Sequence, residues 1–175
     1  SDADRYEVYP SFQENFDSYE NGKLTASKMA QSYAWAVRTQ KDDTAEVVTS
    51  GEGKALALTG NASLENITIP TKITAGDSFA DEQAWQITFT IPEGLSPEAE
   101  IYLLKYAGEG TQMFDNGITI QDGKVYYSQV VEDTYVEDKE LTKIKPGTYT
   151  LKRVMNFSDP DYFTYSVYLL NAKGK

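Results

Sequence analysis

Apolar and polar residues alternate with a period of two along much of this chain. Between Trp85 and Ile91, the residues Trp85, Ile87, Phe89 and Ile91 share one parity, while Gln86, Thr88 and Thr90 share the other. That is the pattern of a β-strand with one buried face. It recurs from Phe163 to Leu170, where Phe163, Tyr165, Val167 and Leu169 fall on one side. A partner strand, Tyr149 to Phe157, precedes it across the turn Ser158-Asp159-Pro160-Asp161. Pro146-Gly147 opens this ribbon, since Pro fixes φ and Gly tolerates the dihedrals of a turn. A two-stranded ribbon with so apolar a face needs a second layer to cover it.

Read in order, residues 1–11 are polar with scattered aromatics and are expected to form an arm. Phe12, Phe16 and Tyr19 predict a short edge strand, closed by the Asn21-Gly22 turn. Residues 25–31 admit one helical turn or a loop. Ser32 to Thr39 alternates, with Tyr33, Trp35 and Val37 on one side, until Lys41-Asp42-Asp43 breaks it. Strands are predicted at Ala45–Thr49, Lys54–Thr59 and Leu64–Ile69, separated by Gly, Asn and Ser. Pro92-Glu93-Gly94 ends the Trp85 strand; Glu100 to Tyr106 resumes, and Gly108-Glu109-Gly110 opens a loop. Ile118–Ile120 and Lys124–Val131 form a hairpin across Gln121-Asp122-Gly123, because Asp-Gly favours the left-handed turn that matches strand twist. Val131 to Glu140 is acidic and reads as an exposed loop, leading to a strand at Leu141–Ile144. No helical periodicity outlasts a turn or two, and no repeat occurs. Roughly ten to twelve short strands, with turn signals about every ten residues, predict an all-β chain. The expected architecture is a two-layer antiparallel β-sandwich, a single domain over residues 12–175.

Composition narrows the partners. A chain of 175 residues suffices for one domain with a real core. A net charge of −11 argues against nucleic acid and against anionic membrane surfaces, which need clustered Lys and Arg. No apolar run reaches the roughly 18 residues of a membrane-spanning helix, so neither membrane insertion nor a signal peptide within these residues is expected. With no Cys there are no disulfides, thiol nucleophiles or Cys-bound zinc; with no His there is no imidazole base and no His-bound metal. Any catalysis would rest on Asp, Glu, Tyr, Lys or Arg. An acidic surface rich in Thr, Ser, Asn and Tyr fits a secreted protein.

The succession of segments carries a resemblance. Phe16-Asp17-Ser18-Tyr19 lies near the start, followed by Gly53-Lys54-Ala55-Leu56-Ala57-Leu58 and the Trp85 strand. Then come Gly123-Lys124-Val125-Tyr126-Tyr127, Pro146-Gly147-Thr148-Tyr149-Thr150-Leu151 and Tyr165-Ser166-Val167-Tyr168-Leu169. From Phe12 to Asn171 this order resembles the concanavalin A-like lectin/glucanase superfamily, in the laminin-G-like jelly rolls of bacterial surface and secreted proteins. The resemblance implies a jelly-roll sandwich at the cell surface or outside it. In that family the strand corresponding to Tyr165–Leu169 is followed by others, whereas this chain stops at Lys175. The expectation is a sheet edge beside residues 163–170, completed by a second chain segment or by the N-terminal arm.

Glycanases of that superfamily carry Glu-x-Asp-x-x-Glu on one strand, and this chain has no such spacing in a strand. Glu132, Asp133, Glu137 and Asp138 stand in a polar run without alternation and read as solvated. Lyases of the fold use His, Tyr and Arg, and here there is no His. Enzyme activity is therefore not expected. Sugar binding on a sandwich combines rings that stack on sugar faces with polar groups that bind hydroxyls. Gln86, Thr88, Thr90, Tyr102, Tyr106 and Tyr126 stand on the polar-parity sides of the middle strands and are the candidates. Arg153 is the lone cation among Leu151, Val154 and Met155, and it serves either an internal ion pair or a ligand. Hard cations want clustered oxygens, so Glu14 and Asp17, with Glu20, are candidate ligands of a structural calcium of the kind related jelly rolls hold. Asp42-Asp43 and the pair Asp159 and Asp161 are alternatives. No cofactor is required. The expected function is a non-catalytic, lectin-like carbohydrate-binding module for a glycan or polysaccharide. A structural or adhesive surface domain contacting protein is the alternative, with a glycoside hydrolase or lyase third.

Overall fold

The computed structural model describes residues 13–25, 35–66, 82–104, 117–131, 134–156, 158–159 and 164–175. Among the described residues the chain forms strands and no helix. In order they are β1 (Gly22–Lys23), β2 (Trp35–Arg38), β3 (Thr44–Ser50), β4 (Gly53–Thr59), β5 (Ser63–Asn66) and β6 (Glu82–Ile91). After these come β7 (Ile101–Leu103), β8 (Ile118–Gln121), β9 (Lys124–Val131), β10 (Thr134–Lys143), β11 (Gly147–Asn156) and β12 (Thr164–Asn171). Every pairing is antiparallel. The described residues of Ala80–Lys175 form one compact unit and those of Val8–Phe79 another.

In the Ala80–Lys175 unit, β11 is the middle strand of a sheet ordered β12-β11-β6. The alternation along β6 is realised as expected. Ile91 is buried, Trp85, Ile87 and Phe89 are half-buried, and Gln86, Thr88 and Thr90 are exposed. Register sets Phe89 opposite Tyr149 and Ile87 opposite Leu151, and the first pair stacks with ring centroids 6.0 Å apart. Beyond β11, Val167 and Leu169 pack on the same core, while Phe163 lies outside the described residues. Among the described strands, β12 is paired only with β11.

The second sheet of this unit is ordered β10-β9-β8-β7. Its β8–β9 hairpin turns on Asp122 (φ 48°) and Gly123 (φ 69°), both left-handed, as a two-residue turn requires to match the strand twist. Leu103, Ile118, Ile120 and Val125 of this sheet share one apolar cluster with Ile91 and Leu151 of the other sheet and with Ile144. The arrangement is all-β and sandwich-like: two antiparallel sheets close over a common interior.

Two local expectations are corrected. The stretch expected as an exposed loop over residues 131–140 is strand in its described residues: β9 runs to Val131 and β10 begins at Thr134, with Thr134 opposite Val131. The register shifts between Val136 and Lys139 and again between Glu140 and Thr142. Such irregularities erase the period of two that marks a strand in sequence. The charge itself suits a strand at the sheet edge, where it discourages further pairing.

The second correction falls in the Val8–Phe79 unit. Phe16 and Tyr19 lie in a turn, not in an edge strand, with Phe16 at φ 63° and the Tyr19 N–H donating to the Phe16 carbonyl at 3.1 Å. Glu14 Oε1 accepts the Phe16 N–H at 2.9 Å and Asn15 Oδ1 accepts that of Asp17 at 3.1 Å. These side chains offer the backbone local partners that compete with a sheet ladder. Phe16 and Tyr19 still reach the core of this unit, packing with Val37, Leu56 and Leu64 on the buried Leu24 and Val47. Its sheets are β1-β3-β4 and β2-β5. The expected arm, Phe12 and Tyr33, with the end of the Leu64–Ile69 strand, lie outside the described residues.

Candidate functional site

The register of the four-stranded sheet places one row of side chains across all four strands: Tyr102 on β7, Thr119 on β8, Tyr126 on β9 and Glu140 on β10. Their parity is opposite to that of Leu103, Ile118, Ile120 and Val125, so the row stands on the face turned away from the core. Tyr102 is 56% exposed and Tyr126 half-buried. Thr119 is nearly buried between them, at 5%. The two tyrosines are separated by one strand, about 10 Å at the usual strand spacing. That is the scale of every second ring in an extended pyranose chain. The Tyr102 hydroxyl donates to a carboxylate oxygen of Glu100, which fixes the ring and brings an acceptor beside it.

The hairpin explains why these residues meet. Its two-residue turn pairs Gln121 with Lys124, which forces Thr119 opposite Tyr126. Tyr102 then follows from the pairing of Ile101 with Ile120.

The outward face of the three-stranded sheet has a different character. Thr88 and Thr150 pair in register with hydroxyls 3.0 Å apart, and Thr90 and Thr148 with hydroxyls 2.8 Å apart. Gln86 is exposed next along β6, opposite Lys152, which is buried. On this open part of the sheet the hydroxyls satisfy one another.

The residues singled out from sequence are thus divided. Gln86 and Thr88, with Thr90, stand on the outside of one sheet; Tyr102 and Tyr126 stand on the outside of the other. Arg153 is on neither. It belongs to the inward parity of β11, is 9% exposed, and donates from Nη1 to the Leu104 carbonyl at 2.8 Å. Leu104 sits at φ 53°, just past β7, so this bond ties the middle of one sheet to the end of a strand in the other. Tyr106 lies outside the described residues. Thr119 and Glu140 were missed from sequence, the latter because it was assigned to a loop; the Asp122-Gly123 turn was the signal that could have found Thr119.

Of the proposed metal ligands, Glu14 has one oxygen on the Phe16 N–H. Asp43 is likewise engaged: its carboxylate accepts the N–H of Asn61 and that of Gln40, each at 2.9 Å, and these bonds hold its pKa below the ordinary carboxylate range. Among the described residues no three acidic side chains gather as a metal site would require. A pocket of about 140 Å³ lies past the end of β6, lined by Ile91, Pro92, Leu95, Ile120, Asp122 and Ile144 among others. It is well below the roughly 300–1,000 Å³ of a pocket that engulfs a ligand, and it offers one carboxylate, not two. Open sheet faces are therefore the better candidate surfaces. Comparison of the chain with models of known families, with curated proteins and with solved structures finds no match.

Proposed function

We propose that this chain is a non-catalytic carbohydrate-binding module of concanavalin A-like jelly-roll type, from a secreted or cell-surface bacterial protein. The reading is carried by one observation, the Tyr102–Thr119–Tyr126–Glu140 row on the outer face of the four-stranded sheet. Tyrosine rings present apolar faces to the C–H side of a sugar, and the carboxylates of Glu100 and Glu140 beside them accept its O–H groups. A flat, open row of this kind grips a chain passing over it and needs no enclosed cavity.

A glycan array tests the reading, followed by titration of any hit with Tyr102→Ala and Tyr126→Ala. Each substitution is expected to weaken binding by about tenfold or more, as loss of an aromatic anchor does. Unchanged affinity in both variants removes the row from the account. The self-paired threonines of the other sheet favour a second reading, a structural or adhesive domain that contacts protein; an array without hits supports it. A structural calcium at Glu14 and Asp17 belongs to the first reading, and its test is a fall in melting temperature on chelation.

A further inference from the structure

Among the described residues, the charges beside the tyrosine row balance. Glu100 stands beside the Tyr102 hydroxyl, and Glu140 ends the row. Two residues along the hairpin, Lys124 and Lys143 face each other in register on the same side of the sheet as Tyr126 and Glu140. Among the described residues, two carboxylates and two ammonium groups thus share this face with the rings, within a chain of net charge −11. Carboxylate or sulfate groups on a polymer are bound best by arginine, whose planar fork is bidentate, and by lysine as a point charge where no carboxylate offsets it. Neither described arginine is on this face. Arg38 is ion-paired with Glu65 at 2.6 Å in the Val8–Phe79 unit, and Arg153 is buried between the sheets.

We infer that the ligand of this face is an uncharged polysaccharide, bound by ring stacking and hydroxyl hydrogen bonds and not by ionic attraction. The inference rests on the carbohydrate-binding reading and narrows it to a class of ligand. An acidic polymer would meet no local excess of positive charge, and the field of the rest of the chain repels it. A neutral chain meets neither obstacle.

The test sets the intact chain against immobilised neutral glucans, mannans and galactans and, in parallel, against polyuronates and sulfated polysaccharides. Retention on one or more neutral polymers is expected, with affinity constant to within about twofold across a roughly tenfold range of ionic strength. Tyr102→Ala should abolish retention. Binding to the uronate or sulfated polymers, weakening as salt rises, overturns the inference and leaves the lectin-like reading standing. Binding to neither class, or neutral binding indifferent to both tyrosines, overturns the reading on which it rests.

Discussion

In the Ala80–Lys175 unit seven apolar side chains are buried in one cluster, from Ile91 on β6 to Leu151 on β11. The cluster of the Val8–Phe79 unit has two, Leu24 and Val47, among its described residues. What the smaller cluster lacks in burial is met in part by polar ties near the surface. Asp43 clamps two loops through the N–H groups of Gln40 and Asn61, Arg38 pairs with Glu65 across β2 and β5, and Asn21 donates to Thr49 at 3.0 Å. Two sheets of three and four strands bury enough apolar area to be held by dispersion and dehydration. The shorter sheets leave fewer described side chains wholly buried and lean more on bonds that water, salt and protons can reach.

The comparison can be broken most directly in the larger core. Leu151→Ala is expected to cost about 2–5 kcal/mol, because a wholly enclosed leucine leaves a cavity; urea unfolding gives the value. Val47→Ala, the matching change in the other unit, should cost about 2 kcal/mol. A larger loss for Val47 than for Leu151 would reverse the ranking. Gly123→Ala adds a side chain at φ 69°, where its Cβ would meet the Ile144 carbonyl only at ordinary contact distance. The expected cost of about 1 kcal/mol is conformational, and calorimetry should record a lower midpoint with the strand content unchanged.

Smaller still is Glu65→Gln, which breaks an exposed pair and should change stability by less than about 1 kcal/mol, with the difference fading in high salt. Last comes Asp43. Its folded pKa is depressed by the Asn61 and Gln40 N–H groups, so its contribution is present above the unfolded value and disappears as pH falls through the folded one. Acid titration of the Asp43→Asn variant should therefore lack a small part of the destabilisation that the parent chain shows below the ordinary carboxylate range. Identical acid profiles would mean that the clamp contributes nothing.

Parity made much of the larger unit legible. Trp85 to Ile91, the β11–β12 ribbon and the Asp122-Gly123 turn each depend on interactions within a few residues or on a strict period of two. Where a bulge interrupts the period, as after Val136 and Glu140, an acidic edge strand is indistinguishable in sequence from a solvated loop. Where side chains capture neighbouring N–H groups, as Glu14 and Asn15 do, an aromatic segment that resembles a strand becomes a turn.

The candidate site was legible only in pieces. Tyr102 and Tyr126 could be assigned to polar-parity sides, and so could Gln86 and Thr88, because alternation says which residues of one strand face together. It does not say which strands share a sheet. That is settled by pairing between residues far apart in the chain, such as Ile101 with Ile120 and Thr150 with Thr88. The sequence by itself determined an all-β chain, its main turns and the apolar sides of its long strands, since these follow from local dihedral preference and the two-residue repeat of a pleated backbone. Only the tertiary structure decided that the tyrosines and the threonines stand on opposite outer faces and that Arg153 turns inward to Leu104. Those outcomes depend on how two layers stack over a shared interior, which no single strand encodes.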